Sequence, residues 1–327
     1  MTTIIYLRAD GGPQIGWGHV NRMCSLAAVM KGQAPVVAVA TEAGAKVFQN
    51  NNSAFAAVKT LDADAAGHCY SEWEGVNTEN SILVLDGYQF DYTYQQQAKA
   101  LGFRVVLIDD FALGPFAADM IINHAPESRS RYSQEGIRFC CGTDYALLRP
   151  SFYQRFKEQP RRKQQVLVTL GGADPQALTG QLLNRLLPEH RKLNWVVVCT
   201  DSFAPEHRQQ LEQMAAGSEH MTLEYNVSEE GMHRLMMQSS HALVSSSTVV
   251  LEAWASGLYP AALCYTENQR IMFEGVCNGH LAFPLQAATA QSGFREYLQT
   301  TPKAQDGMEG WNPPAAIRNA FQQLMHA

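Results

Sequence analysis

His19 is the side chain whose type and setting most invite chemistry, in the stretch Ile15-Gly16-Trp17-Gly18-His19-Val20-Asn21-Arg22. Imidazole changes its protonation near neutral pH, so it can take or give a proton under ordinary conditions. Glycines at 16 and 18 let the backbone come close to a ligand and adopt positive φ without a steric penalty. The stretch follows an expected strand at residues 3–7. It runs into a helical pattern in which Val20, Met23, Cys24, Ala27, Ala28 and Met30 recur at spacings of three and four. A helix start presents unpaired N–H groups and a partial positive charge, which suits a phosphate. Taken alone, the stretch also reads as a tight strand-to-helix turn carrying a solvated histidine.

Further polar residues recur after apolar runs. In the first half these are Arg8 and Asp10, Asp86 and Tyr88, Asp109 and Asp110, and Asn123, followed by His124. Each aspartate singly fits a helix cap; as a set they fall where open parallel sheets bind ligands. Tyr88 is placed to orient water or a sugar, or simply to pack. In the second half the glycine pair Gly171-Gly172 suits close approach of a base or phosphate. Ser245, Ser246, Ser247 and Thr248 open a helix, and Glu252 lies one turn further along the same face. A carboxylate there can accept both hydroxyls of a ribose. Asn268 and Gln269 can reach pyrophosphate oxygens or sugar hydroxyls.

The elements that must carry these residues alternate. Strands are expected at residues 35–40, 54–58, 82–85, 104–108 and 119–122, with helices at 41–49 and 92–102. Residues 124–164 lose strand patterning. The alternation resumes with strands at 166–170, 195–199, 221–225, 242–244 and 260–264. Helices are expected at 205–216, 229–238 and up to about 256, with a closing amphipathic helix at 313–326 and another begun at Pro175 with Asp174 as its cap. Short apolar runs between helical patterns indicate parallel βαβ units. The expectation is an α/β protein of two similar halves: an N-terminal domain at 1–150, a linker at 151–164 and a C-terminal domain at 165–327. The run Arg161-Arg162-Lys163 reads as solvated linker surface.

Composition narrows the partners. A formal charge of −6 and no basic tract argue against nucleic acid. The N-terminus lacks a basic leader and no apolar stretch is long enough to span a membrane. Seven cysteines without a C-x-x-C spacing suit a reducing cytoplasm and give no metal framework.

Together, Arg8-x-Asp10, the Ile-Gly-x-Gly-His-x-x-Arg run to Arg22, the Gly-Gly-x-Asp turn, the Ser-Ser run reaching Glu252 and the Asn268-Gln269 pair carry a resemblance. So do Asp86-x-Tyr88, Asp109-Asp110 and Tyr145-Ala-Leu-Leu-Arg149. They resemble the UDP-sugar hydrolases of pseudaminic acid biosynthesis, over residues 4 to about 285. The Gly-x-Gly-His-x-x-Arg run is shared with the related transferase that makes lipid II. The resemblance implies two Rossmann-like domains of the glycosyltransferase-B type with a cleft between them, the N-terminal one holding the sugar and the C-terminal one the UDP. The implied reaction is inverting hydrolysis of UDP-2,4-diacetamido-2,4,6-trideoxy-β-L-altropyranose, with no metal and no cofactor. His19 and Tyr88 would be catalytic; Arg8, Asp10, Gly16, Gly18, Arg22, Asn123, Gly171, Gly172, Ser246, Ser247, Thr248, Glu252, Asn268 and Gln269 would bind substrate. Ala173 stands where members of that family often carry a hydroxyl, a departure that bears on one polar contact to the nucleotide. Three other readings remain: a glycosyltransferase of the same fold, a hydrolysing 2-epimerase, and a nucleotide-sugar binding protein without turnover.

Overall fold

The computed structural model describes residues 3–12, 15–154, 163–300 and 310–326. Residues 155–162 of the expected linker, including Arg161 and Arg162, lie outside the described residues. The chain forms two compact units, Met1–Pro150 with Asn312–Ala327, and Ser151–Trp311.

In the first unit the strands are β1 (Ile5–Ala9), β2 (Val36–Thr41), β3 (Ala57–Leu61), β4 (Ile82–Asp86), β5 (Arg104–Ile108), β6 (Met120–Asn123) and β7 (Arg138–Cys141). The helices between them are α1 (Gly18–Met30), α2 (Glu42–Asn50), α3 (Cys69–Glu72) and α4 (Tyr92–Ala100). All strand pairs are parallel, in the order β3-β2-β1-β4-β5-β6-β7. Strand β7 is a correction to the expectation that strand patterning ends after residue 124.

In the second unit the strands are β8 (Lys163–Thr169), β9 (Asn194–Cys199), β10 (Met221–Tyr225), β11 (Ser239–Ser245), β12 (Ala261–Leu263) and β13 (Phe283–Pro284). The helices are α5 (Leu178–Leu186), α6 (Pro205–Ala216), α7 (Glu229–Gln238), α8 (Thr248–Ala255), α9 (Arg270–Asn278) and α10 (Ala290–Gln299). This sheet too is parallel, in the order β10-β9-β8-β11-β12-β13. The last helix, α11 (Pro313–Met325), returns to the first unit rather than closing the second.

Both orders share one property. The chain lays down three strands in one direction, then crosses back to place the fourth beside the first: β4 against β1, β11 against β8. The loops leaving those neighbours diverge and open a crevice at their carboxyl ends. Each unit therefore has one such switch point, flanked by residues 10–19 and 86–88 in the first, and by 170–174 and 245–248 in the second.

Burial explains the strands. Ile5, Leu7, Ala9 and all of β4 are buried on both faces of the sheet, as helix-covered parallel strands must be. Each fully buried large apolar side chain contributes roughly 1.5–3 kcal/mol relative to exposure. Helix α1 lays Val20, Met23, Leu26, Ala27 and Met30 on the sheet with no exposed area. Its N-terminus packs tightly: a Cβ at Gly11 would stand 2.8 Å from Val20 Cγ2 and 3.0 Å from the Trp17 ring. Only glycine allows the loop that close.

Candidate functional site

In the first unit the loop after β1 is closed by paired backbone hydrogen bonds between Gly12 and Gly16, and Gly16 sits at φ +84. Helix α1 begins at Gly18 and has no side-chain hydrogen bond capping its N-terminus. His19 follows at once, 7% exposed. Its Nδ1 lies 2.6 Å from Asp86 Oδ1, at the end of the adjacent switch-point strand β4. With the proton on Nδ1 donated to the carboxylate, Nε2 is left as an acceptor.

Arg22, one turn along α1, lies between two carboxylates. It donates to Asp86 through Nε (2.9 Å) and Nη2 (2.6 Å), and to Asp110 through Nη1 (2.6 Å) and Nη2 (2.9 Å). Burial alone would push the Asp110 carboxyl up, but the Arg22 guanidinium outweighs it and holds the group down at about 2. Arg22 itself is 7% exposed and its pKa is raised well above the usual range: burial opposes, and Asp110 and Asp86 prevail. Arg22 thus ties both carboxylates to α1. The Tyr88 hydroxyl donates to Asp110 (3.2 Å), and its ring stands edge-on to His19 and to Phe111, centroids 4.9 Å apart in both cases. Tyr88 is half exposed.

Arg8, Asp10 and Asn123 are likewise tied into networks within the first unit. Arg8 is fully buried and forms a two-pronged ion pair with Glu72 (3.0 and 2.9 Å) and a third contact to Asp10 (2.6 Å). Burial opposes its charge, and Glu72 and then Asp10 keep it protonated. Asp10 is held by the Thr41 amide and hydroxyl (2.8 and 2.9 Å) and by Gln89 (3.3 Å). Asn123 is 2% exposed; it donates to the Tyr132 hydroxyl and accepts from the Ala125 amide. Tyr132 in turn donates to Asp109 (2.6 Å). His124 is buried beside this, accepting from the Leu147 amide at 3.3 Å. Burial, aided by the nearby Arg22, lowers its pKa to about 4.

The second unit brings its own set together at the β8/β11 switch point. Gly171 has φ +105 and lies against Tyr265 and Ser245; a Cβ there would be 3.6 Å from the tyrosine oxygen. Tyr265 donates to the Leu170 carbonyl, and Thr200 to that of Gly172. Neither contact was foreseen from the sequence. Helix α5 starts at Leu178, not Pro175, yet Asp174 still caps it, accepting from the Leu178 and Thr179 amides (2.9 and 2.8 Å). Across the sheet, Ser245 and Ser247 hydroxyls are 3.0 Å apart, and α8 starts without a side-chain cap. The Ser246 hydroxyl is buried and has no hydrogen-bond partner among the described residues. An unpaired buried hydroxyl costs roughly 1–3 kcal/mol, which a ligand oxygen could relieve. Glu252 lies one turn into α8, 3% exposed. Gln269 is buried and accepts from the Tyr265 amide (3.2 Å); Asn268 beside it is half buried.

No protein-family model matches the chain. It is 25% identical, over 81% of its length and 93% of the relative's, to the UDP-2,4-diacetamido-2,4,6-trideoxy-β-L-altropyranose hydrolase of Campylobacter jejuni. Among solved structures it matches MnaA of S. aureus, solved with UDP, at a TM-score of 0.70 and 11% identity, covering 100% of this chain and 96% of that one. MurG of Acinetobacter baumannii matches at a TM-score of 0.58 and 13% identity, covering 100% and 99%. The chain thus has the two Rossmann-like domains of the glycosyltransferase-B type, and the resemblance its motifs carry to the altropyranose hydrolase extends over four-fifths of its sequence.

Proposed function

We propose that the chain hydrolyses UDP-2,4-diacetamido-2,4,6-trideoxy-β-L-altropyranose to the free sugar and UDP, in one inverting displacement without a metal. The observation that carries this reading is the His19–Asp86 pair at the head of α1. Asp86 fixes the tautomer and orientation of the ring and stabilises the imidazolium that forms, as an orienting carboxylate does for other catalytic histidines. The C. jejuni relative supplies the substrate named here.

Water would attack the anomeric carbon while its proton passes to His19 Nε2. The bond from that carbon to the UDP oxygen breaks, and its electron pair leaves with UDP. The diphosphate is a good leaving group, so no second carboxylic acid is needed to protonate it, unlike in glycosidases. The charge gathering on it is favoured by helix N-termini. In the second unit, the free end of α8 with Ser246, Ser247 and Thr248 is suited to the pyrophosphate. Glu252 is suited to the ribose hydroxyls, and the Gly171-Gly172 turn to close approach of the nucleotide. Asn268 and Gln269 would add sugar or phosphate contacts. Gly16 and Gly18 open the way to His19.

Incubation of the purified protein with this UDP-sugar and a chelator, followed by NMR, tests the reading. Release of UDP and the unepimerised sugar is expected, with loss of at least a hundredfold in His19→Ala. An intact UDP-sugar that turns over only with an added acceptor would make it a transferase. A changed second carbon would make it an epimerase, and binding without turnover a nucleotide-sugar receptor.

A further inference from the structure

His19 and Tyr88 are joined by a closed circuit of contacts. His19 touches Asp86, Asp86 and Asp110 share Arg22, Asp110 accepts from Tyr88, and the Tyr88 ring returns to His19. Within it one oxygen is contested. Asp86 Oδ1 is 2.6 Å from His19 Nδ1 and also 2.6 Å from Arg22 Nη2, and those two nitrogens are only 3.0 Å apart. A guanidinium that close competes with imidazole for the same lone pairs. Asp110 draws on the other side of it, through Nη1 at 2.6 Å and Nη2 at 2.9 Å.

We infer that Asp110 is a positioning residue: by holding the far half of the Arg22 guanidinium, it keeps Asp86 available to His19 and so fixes which His19 nitrogen carries the proton. Because Asp110 also holds the Tyr88 hydroxyl, one carboxylate sets the placement of both side chains at the carboxyl edge of the sheet. The inference rests on the proposed role of His19 for its consequence in turnover. Its structural core, the division of Arg22 between two carboxylates, stands without that role.

Asp110→Asn removes the competing charge with little change in size. Arg22 then turns wholly onto Asp86, and His19 loses its partner. Two readouts follow, and only the second needs substrate. The 15N signals of His19 in the ligand-free protein are expected to move from the pattern of an Nδ1–H tautomer towards a mixture with the Nε2–H form. In turnover of the altropyranose, kcat is expected to fall at least tenfold while KM stays within twofold. A folded Asp110→Asn protein with the wild-type His19 spectrum overturns the inference. Should that variant not fold, Asp110→Glu keeps the charge but displaces the carboxylate by one methylene. An intermediate His19 spectrum is expected there, and a wild-type one overturns the inference equally. If the wild-type protein fails to cleave the sugar nucleotide, the hydrolase reading falls, and the tautomer measurement still decides the role of Asp110.

Discussion

A buried neutral histidine makes stability depend on pH, and His124 is such a residue. It is 4% exposed, accepts a backbone hydrogen bond, and has its pKa lowered to about 4 by burial and then by Arg22. The unfolded chain takes up a proton on this side chain as pH falls below about 6.5, while the folded protein refuses it until about 4. Stability should therefore decline across that window by about 1.4 kcal/mol per pH unit, on the order of 3 kcal/mol in all. Asp110 acts lower down. Its depressed pKa contributes stability above the ordinary carboxylate range, and this is lost only as pH falls towards about 2. Urea unfolding followed from pH 7 to 4 checks the first effect. His124→Gln, which can still accept from the Leu147 amide, should flatten the decline, and an unchanged slope would clear His124 of it. The same neighbourhood shows what residue types reveal. His19 stands out in sequence as an imidazole beside two glycines at a strand-to-helix turn, and Asp86 and Asp110, of a type that ordinarily caps helices, stand out because they follow neighbouring apolar runs. Arg8 and Arg22 read as ligands for the same reason. The Arg8–Asp10 pair, two residues apart, is legible locally. Glu72, however, lies 64 residues from Arg8, and Asp86 and Asp110 lie 64 and 88 from Arg22, where no local pattern announces the pairing.

At the scale of elements, caps matter most where a functional turn precedes a helix. Asp174 has φ +39, is 3% exposed, and spends both oxygens on the first amides of α5. His207 Nε2 lies 3.8 Å from the same carboxylate, its ring stacked on Phe203. Asp174→Ala would leave two helix-end amides unpaired and cost about 1–2 kcal/mol. Hydrogen exchange should report it as faster exchange at Leu178 and Thr179, with α8 unaffected. Asp174→Asn, which retains one acceptor and tolerates a left-handed backbone, should lose about half as much. Equal exchange in all three proteins would show that the cap is dispensable. The elements themselves were largely legible. Helix-covered parallel strands must be apolar on both faces, so β1, β4, β5, β8 and β9 appear as unbroken runs. Strand β7 did not, because it is a four-residue edge strand with one buried side chain, Cys140. Helix α10 buries Ala290, Phe294 and Tyr297 at spacings of four and three, a helical signal present in the sequence itself. The pattern at Pro175 promised a helix start, but Asp174 and Ala177 in left-handed conformation hold the chain in a turn until Leu178.

At the scale of the molecule, the closing helix belongs to the unit where the chain began. The amphipathic pattern of α11 was plain in sequence, but a pattern specifies a face and not the surface that covers it. Ile317 and Phe321 have no exposed area, and Arg318 Nε donates 2.8 Å to the Val29 carbonyl near the end of α1. That carbonyl is among the last four of α1, which have no partner within the helix. The contact therefore fastens the far end of the helix whose first turn carries His19. Phe321→Ala should destabilise the first unit by about 3–5 kcal/mol, the range for truncating a fully buried phenylalanine. Hydrogen exchange resolves the effect by unit: protection should fall in β1, α1 and β4 and hold in β8, β9 and β11. The opposite distribution would mean that α11 packs with the second unit. Uniform loss would mean that the two units unfold as one. On the proposed division of roles between the units, conditions that populate the opened first unit should then slow turnover of the UDP-sugar while leaving UDP binding by the second unit intact. Isothermal titration of Phe321→Ala with UDP near its unfolding midpoint measures that separation directly.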